Sequence, residues 1–206
     1  MNALKVSIAA ALMLSAPPVL AAELRGWGAS GVRQTVSQIL VASLSGQPPL
    51  GADPERLPQA LRAPAGVFIT VSRAGVVRGC WGRLAPTRAS VAEELVSVAA
   101  RLRTADWRNR PIDDSEWPQL VAHVSVVGAL VPIARAAALD PRRHGLWLTA
   151  GGRGGVVLPG EAASSAWQEL LCRRKAGLSS RHPARLYRFE TELLGPISLA
   201  AVRRVP

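Results

Sequence analysis

The chain has 206 residues and a formal net charge of +11, from 25 Lys and Arg against 14 Asp and Glu. Nearly all the basic residues are arginines scattered along the chain, and Ala, Gly and Pro are abundant, as a GC-rich genome favours. Nucleic-acid binding would call for a basic patch or stripe, so the charge argues only weakly for it and no nucleic-acid partner is expected.

The first 22 residues have the features of a secretory signal peptide. Lys5 supplies a basic start, residues 6–14 are apolar, and residues 19–21 match the small-x-small pattern of a cleavage site. The apolar run is shorter than the ~20 residues that a helix needs to cross a bilayer. We therefore expect residues 1–22 to be removed and the protein to be extracytoplasmic, either periplasmic or secreted. The alternative is an uncleaved segment, which would be its only contact with a membrane.

The first predicted elements are a helix and a hairpin. Apolar residues at helical spacing predict a helix over residues 31–44, with Ser30 as its N-cap. Strict alternation predicts a strand over residues 67–72, followed by a tight turn and a return strand that begins at Val76. This places Cys80 at or beyond the end of the hairpin.

A second helix and a second strand follow. Ser90 and Glu93 have the spacing of a capping box, and the helix they begin should end near Thr104. Residues 121–127 alternate between two faces, which predicts a strand. His123 lies inside that apolar alternation, which is more typical of a structural histidine than of a ligand.

The last third of the chain again mixes hairpins and a helix. His144 precedes a strand at residues 146–148, and the glycines of residues 151–155 predict a hairpin turn rather than a phosphate-binding loop. A helix is predicted over residues 161–176 and a last strand over residues 186–194. The fold class is therefore α+β, with mixed, mainly antiparallel sheets and flanking helices.

The most informative motif surrounds the first of two cysteines and consists of Arg78, Gly79, Cys80, Trp81 and Gly82. Nearby arginines favour a thiolate over a thiol, and glycines give access, which is how a reactive cysteine is presented. A buried structural cysteine is the equal alternative, because free cysteines are among the most buried residues. Trp81 is a candidate for lining a pocket beside the thiol.

Two further residues bear on the role of this cysteine. His144 is a chemically sensible base for Cys80, provided that the fold brings the two together. Cys172 can pair with Cys80 in an oxidising compartment. The sequence favours two separate thiols, one of them buried and inert.

No complete catalytic or metal-binding motif accompanies the cysteine. Asp113, Asp114 and Glu116 crowd one loop without EF-hand spacing, and the sequence has no His-Glu-x-x-His, Cys-x-x-Cys or Gly-x-Ser-x-Gly. No metal is expected, and no cofactor can be named. Among the six tryptophans, we expect Trp147 and Trp167 to pack in the core.

Taken together, these segments resemble the AMMECR-one domain family, which is marked by an Arg-Gly-Cys-x-Gly signature. The signature corresponds here to residues 78–82. The other matching segments, in order along the chain, are residues 66–71, 121–127, 132–133, 144–146, 158–159, 171–172 and 175–178. An AMMECR-like domain is accordingly assigned to residues 30–197.

The resemblance implies an α+β domain with a larger and a smaller subdomain and with the signature near a cleft. Bacterial relatives occur beside, or fused to, Memo-type and radical-SAM proteins, which implies partners of those kinds. It also implies a place in a modification pathway, as an enzyme or an accessory protein.

Two hypotheses follow for the function. The first is a thiol-dependent enzyme in which Cys80 is the nucleophile, Arg78 lowers the pKa of its thiol and His144 is the base. The second is a non-catalytic binding module whose arginines hold an anionic ligand or protein partner.

Overall fold

The structure, a computed structural model, describes residues 30–48, 54–106 and 109–203. The predicted signal peptide, residues 1–22, lies outside the described residues. Within them, no helix is both long enough and apolar enough to cross a bilayer. The described chain divides into two compact units, which are a large unit, residues 30–128 with residues 192–203, and a small unit, residues 129–191.

Helices and strands intermix along the described chain, so the α+β prediction is confirmed. In chain order the elements are α1 Ser30–Leu44, β1 Val67–Arg73, β2 Val76–Arg83, α2 Val91–Ala105, β3 Val121–Val127, β4 Val131–Ile133, β5 Gly145–Ala150, β6 Arg153–Val157, α3 Ser165–Ala176, β7 Arg185–Phe189 and β8 Thr191–Ser198. One sheet has the order β2-β1-β3-β8 and the other the order β4-β7-β5-β6.

The large unit is built around β1, which pairs with β2 on one edge and with β3 on the other, both antiparallel. Val67, Ile69 and Val71 of β1 are fully buried in a core that also contains the apolar faces of α1 and α2. Full burial of an aliphatic side chain stabilises a fold by about 1.5–3 kcal/mol. The alternation that predicted β1 therefore also predicts which of its faces is the core face.

Helix α2 begins at the predicted capping box. The Ser90 hydroxyl accepts a hydrogen bond from the backbone N–H of Glu93 at 3.2 Å. The Glu93 carboxylate accepts one from the N–H of Ala89 at 3.2 Å, one residue before the position in the usual box. Two backbone donors that the helix cannot satisfy internally are thus paired, which fixes where the helix begins.

Strand β2 is longer than predicted, and the prediction that Cys80 lies at or beyond the end of the hairpin is wrong. The strand runs through to Arg83, and Cys80 pairs with Thr70 in its interior. Gly79 and Gly82 do not turn the chain here. Both lie in the ladder, opposite Val71 and Phe68 respectively.

The two glycines of the motif differ in what surrounds them. A Cβ atom on Gly82 would overlap the carbonyl oxygen of Val67 and lie 2.5 Å from the Cα atom of Phe68. A Cβ atom on Gly79 would meet only side-chain carbons of Ile112 and Val71, at 3.4 and 3.6 Å. Gly82 is therefore required by the close approach of β1, and Gly79 is not.

In the small unit, α3 packs on β5 and β6. It begins later than predicted, because Ser164 is its N-cap and accepts from the N–H of Trp167. It ends at the predicted Gly177, which has the left-handed φ of 64° that favours glycine. The hairpin turn predicted between β5 and β6 is confirmed at residues 151–152.

The buried face of α3 is not its most apolar one. Gln168, Cys172 and Ala176 are buried, whereas Trp167 is 42% exposed. A Cβ atom on Gly155 of β6 would overlap the carbonyl oxygen of Cys172, so small groups on both sides bring helix and strand together. The prediction that Trp167 packs in the core is therefore wrong.

Two further strand predictions needed correction. The single strand predicted over residues 186–194 is two strands, β7 and β8, which belong to different sheets. Strand β4 was not predicted, and it pairs with β7 through Pro132 opposite Tyr187. Tyr187 in turn stacks on Trp147 with ring centroids 4.8 Å apart.

The contrast between the two motif glycines gives a first prediction. Gly82→Ala should destabilise the protein by about 3 kcal/mol, because the methyl group meets backbone atoms that cannot move without breaking the ladder. Gly79→Ala, the matched control at the position immediately before Cys80, should cost less than about 1 kcal/mol. Urea unfolding of both variants measures the difference, and equal losses would contradict the close-approach explanation.

Candidate functional site

The register of the β1–β2 hairpin sets the position of Cys80. Val71 lies opposite Gly79 and Ser72 lies opposite Val77, so Arg78 is an extra residue, a β-bulge. Bulges aim side chains and are frequent beside active sites. Beyond the bulge, Cys80 and Thr70 share the outer face of the sheet, which is the face opposite the core.

Cys80 is half-buried and has a hydroxyl donor at its sulfur. The Thr70 hydroxyl donates to Cys80 Sγ at 3.2 Å. The backbone N–H of Cys80 donates to Asp106 Oδ2 at 3.0 Å, so a carboxylate at the end of α2 holds this edge of β2. A donor aimed at sulfur stabilises the thiolate relative to the thiol, because it bonds more strongly to the charged form.

A histidine continues the same row. On the far side of β1, Thr70 lies directly opposite His123 of β3. Side chains that face each other across an antiparallel pair have Cβ atoms about 4.5–5.5 Å apart. The sheet therefore carries a row of three residues on its outer face, Cys80, Thr70 and His123, which we call the outer-face row.

A glycine and a phenylalanine flank the outer-face row. The ring of His123 lies against Gly195 of β8, where a Cβ atom would approach the ring carbon Cγ to 2.9 Å. The ring of Phe68 lies over Gly82, next to Cys80 along the strand. Neither Thr70 nor His123 was a predicted site residue. Alternation alone places each on the face opposite the core, but only the register shows that they are neighbours.

Arg78 is engaged by a carboxylate and two carbonyls. Its Nε and Nη2 atoms donate to the two oxygens of Glu116 at 2.8 and 2.9 Å. Its Nη1 and Nη2 atoms also donate to the carbonyls of Arg110 and Pro111, at 3.0 and 2.9 Å. The bulge residue thus fastens the loop between α2 and β3 to the hairpin.

The ion pair between Arg78 and Glu116 shifts the pKa of both side chains. The side-chain hydrogen bond with Arg78 lowers the pKa of Glu116 from 4.5 to about 2, and burial opposes this only in part. The hydrogen bond with Glu116 raises the pKa of Arg78 above its ordinary value. Because Glu116 offsets the charge of Arg78, little of that charge is left to act on Cys80. The role predicted for Arg78 in lowering the pKa of the Cys80 thiol stays a prediction.

Arg83, the second arginine beside the motif, is also paired. Its Nη1 atom donates to Glu94 Oε1 at 2.8 Å and to the Ser97 hydroxyl at 3.2 Å. The Glu94 side chain is fully buried and also accepts from the backbone N–H groups of Thr87 and Arg88. Arg83 therefore compensates a buried charge and is a structural residue.

Trp81 packs against the core of the large unit, on the side of β2 away from Cys80. The guanidinium of Arg101 lies 5.9 Å from the centre of its ring, within the range of a cation–π contact. Cys80 is therefore not covered by the indole that follows it in the sequence.

His144 belongs to the small unit and has its own partners there. Its Nδ1 atom accepts the backbone N–H of Asp140 at 3.1 Å. Its Nε2 atom lies 3.2 Å from Arg188 Nη1 and 3.5 Å from Glu190 Oε1. The side chain of His144 thus has polar partners at both ring nitrogens within the small unit. The predicted pairing of His144 with Cys80 stays a prediction.

Both cysteines are thiols, as the sequence favours. Cys172 is fully buried, and its Sγ atom donates to the carbonyl of Leu146 at 3.2 Å. Burial raises the pKa of the Cys172 thiol to about 12. Of the two, only Cys80 is placed for chemistry with a solute.

The aspartates of the acidic loop, residues 113–116, form ion pairs with arginines. Asp113 pairs with Arg110 at 2.6 Å, and Asp114 pairs with Arg103 at 2.7 Å. Among the described residues, no group of three or more His, Cys, Asp or Glu side chains could hold a metal ion.

An open cavity of about 410 Å³ lies at the turn end of the hairpin, in the large unit. It is lined by Arg73, Val76, Val77, Arg78, Asn109, Arg110 and Glu116. Val76 and Val77 are 71% and 54% exposed. We call this set of residues the hairpin groove.

The model of the AMMECR1 (AMMECR-one) family matches residues 33–194. A protein of Thermotoga maritima is 31% identical over 143 residues, which cover 67% of this chain and 82% of that protein. A protein of Methanothermobacter thermautotrophicus is 29% identical over 154 residues, covering 68% and 80%. The crystal structure of an uncharacterized protein from Pyrococcus horikoshii has a TM-score of 0.66 and 26% identity, covering 81% of this chain and 90% of that one.

The ion pair at the bulge gives a second prediction. Because the pKa of Glu116 is about 2 in the folded protein and 4.5 without its partners, its contribution to stability is full above pH 4.5 and is lost as the pH falls toward 2. Glu116→Gln should lower the free energy of unfolding by about 2 kcal/mol at pH 6 and by much less near pH 2. Urea unfolding at both pH values measures this difference.

Asp113→Asn is the matched control from the same loop. Its ion pair with Arg110 is 63% exposed on both sides, so its loss should cost less than about 1 kcal/mol at either pH. A pH-independent loss in Glu116→Gln would mean that the carboxylate charge is not what stabilises the bulge.

Proposed function

This chain belongs to the AMMECR1 family, and on that premise we propose that it is a thiol-dependent modification enzyme whose nucleophile is Cys80. The observation that carries the proposal is the hydroxyl of Thr70, which donates to Cys80 Sγ at 3.2 Å on a half-buried, strand-held position. The thiolate is the nucleophilic form of cysteine, and a fixed donor favours it.

Two features of the large unit, and a contrast with the small unit, support this proposal over a structural role for Cys80. The sulfur lies on the outer face of the sheet and not in the core, where Trp81 lies. A strand paired along its length holds the thiol more rigidly than a loop would, which favours a defined attack geometry. Cys172 shows the contrast, because that thiol is buried against a carbonyl and held in its neutral form.

We also propose an extracytoplasmic location and Memo-type or radical-SAM proteins as partners. The location rests on the pattern of residues 1–22, and the partners rest on the family resemblance. The enzyme would then modify a substrate that such partners supply or receive.

Alkylation by iodoacetamide tests the nucleophile, since the thiolate sulfur attacks the carbon and iodide leaves. In the wild-type protein, the ratio of the Cys80 alkylation rate at pH 7 to that at pH 10 should exceed the same ratio for glutathione. Thr70→Val, which keeps the shape and removes the donor, should lower the ratio by roughly tenfold. Peptide mass spectrometry assigns the label to Cys80, with Cys172 as the internal unreactive thiol.

Thr70→Ser is the control for this series, because it keeps the hydroxyl and should keep most of the reactivity. A wild-type ratio equal to that of glutathione would leave Cys80 an ordinary thiol and would contradict the proposed enzyme.

The hairpin groove favours a second candidate function, a binding module for an anionic ligand. Three arginines and one glutamate line it, so its walls are positive overall. Arg73 has no hydrogen-bond or ion-pair partner among the described residues. Two exposed valines add an apolar floor, which suits an acidic peptide better than a bare ion.

A hexaglutamate peptide tests the second candidate by fluorescence anisotropy. Binding should weaken by about fivefold in Arg73→Gln and should fall steeply with added salt. Arg142→Gln, which removes an exposed arginine of the small unit, should leave the affinity unchanged. Equal effects of the two variants would indicate attraction by net charge alone and would contradict a groove-specific module.

A further inference from the structure

The geometry of the outer-face row points to a base for Cys80 that differs from the one predicted from sequence. We propose that His123 accepts the proton of Cys80 through the hydroxyl of Thr70. This inference rests on the proposed function, since it names the group that generates the thiolate which that function uses.

The spacing of the sheet explains why a bridge is needed. Cys80 and His123 lie two strands apart, which is about 9.5 Å between their Cα atoms at the usual spacing. Because side chains stand roughly perpendicular to a sheet, a thiol and an imidazole at that separation project side by side and do not meet directly. Thr70 lies between them, paired in register with Cys80 on one side and with His123 on the other.

The hydroxyl is the one group in the row that can serve both neighbours. A threonine hydroxyl has one donor and two acceptor positions, so it can accept from one group while it donates to another. In the structure it donates to Cys80 Sγ at 3.2 Å. The same contact can carry a proton in either direction, because the thiol can also donate to the hydroxyl oxygen.

A glycine on the neighbouring strand leaves room for the imidazole. The missing side chain of Gly195 lets the Cδ2 edge of the His123 ring lie against β8. On its other side, β3 is paired with β1, where Thr70 lies directly opposite His123. The transfer requires the Nδ1 atom of His123 to accept a hydrogen bond from the Thr70 hydroxyl.

The proton transfer balances without any further reagent. The S–H bond of Cys80 breaks and its proton goes to Thr70 Oγ1, while the original hydroxyl proton of Thr70 goes to Nδ1 of His123. The products are a thiolate and an imidazolium, and the hydroxyl is regenerated with its proton toward the sulfur. Attack of the thiolate on an electrophilic carbon then leaves the imidazolium to protonate the leaving group.

The charged group that faces Cys80 from the packed helix is Asp106, at the end of α2. Its Oδ2 atom accepts from the backbone N–H of Cys80 at 3.0 Å and from the Asn109 amide at 3.1 Å. Arg78 and Arg83 are paired with Glu116 and Glu94. An imidazolium at His123 would supply a counter-charge to the thiolate from the same face of the sheet.

His144 is the competing base, and its surroundings argue against it. Its Nδ1 lone pair already accepts the backbone N–H of Asp140 at 3.1 Å, and the guanidinium of Arg188 is 3.2 Å from Nε2. Both ring nitrogens of His144 are therefore already engaged by residues of the small unit.

Alkylation of the full-length protein by iodoacetamide separates the two histidines. His123→Gln should lower the Cys80 alkylation rate at pH 7 by about tenfold and leave the rate at pH 10 unchanged, because hydroxide then removes the thiol proton. His144→Gln, the matched control, should leave both rates unchanged. A loss in His144→Gln without one in His123→Gln would overturn the inference, and so would unchanged rates in both variants.

A second measurement keeps the proposal testable if His123→Gln does not fold. His123→Asn, a smaller polar replacement, should lower the Cys80 alkylation rate at pH 7 by about tenfold and leave the rate at pH 10 unchanged. An unchanged rate at pH 7 would overturn the inference while leaving Cys80 reactive. A wild-type Cys80 no more reactive at pH 7 than glutathione would overturn the proposed function as well, so the two failures are distinguishable.

Discussion

The antiparallel pairing of β1 with two neighbours at once governs the contents of the candidate site. Because β1 is hydrogen-bonded on both edges, its register fixes which residues of β2 and β3 lie beside each of its own. One face of that arrangement holds Val67, Ile69 and Val71 in the core, and this burial resists any slip of the strand. The register that core packing fixes on one face also fixes which residues are neighbours on the other. Packing of the core therefore aligns a thiol, a hydroxyl and an imidazole on the outer face of the sheet.

The arginines around the motif form ion pairs within the fold, although the net charge of the protein is strongly positive. Around the motif, each arginine that the sequence places beside the cysteine is matched by a glutamate, Arg78 by Glu116 and Arg83 by Glu94. The first pair fastens a loop to a bulge, and the second compensates a carboxylate buried at the start of a helix. Composition alone cannot distinguish such arginines from those available to a ligand, because partners 38 residues apart in sequence leave no local pattern.

Much of the fold could be predicted from the sequence, because it depends on local patterns. The alternation in β1 and β3, the capping box at Ser90 and the stop at Gly177 are each produced by neighbours within a few residues. The family signature around Cys80 was likewise visible. The buried face of α3 was harder to predict, because it is determined by the close fit of the helix to Gly155 and not by its apolar stripe. The outer-face row could not be predicted, because Thr70 and His123 become neighbours only through the strand register, and no local sequence pattern encodes that register.

The extra residue at Arg78 has a consequence for the orientation of everything beyond it on β2. If Arg78 were paired with Val71 instead of forming a bulge, Cys80 would lie opposite Ile69, and its sulfur would be enclosed in the core. Trp81 would then face outward and lose its packing. The number of paired residues between the turn and the cysteine therefore decides whether the thiol or the indole is on the outer face. Gain or loss of one paired residue would exchange the two faces, whereas loss of Arg78 itself would only remove the bulge. The number of paired residues is thus under stronger constraint than the identity of the exposed valines among them.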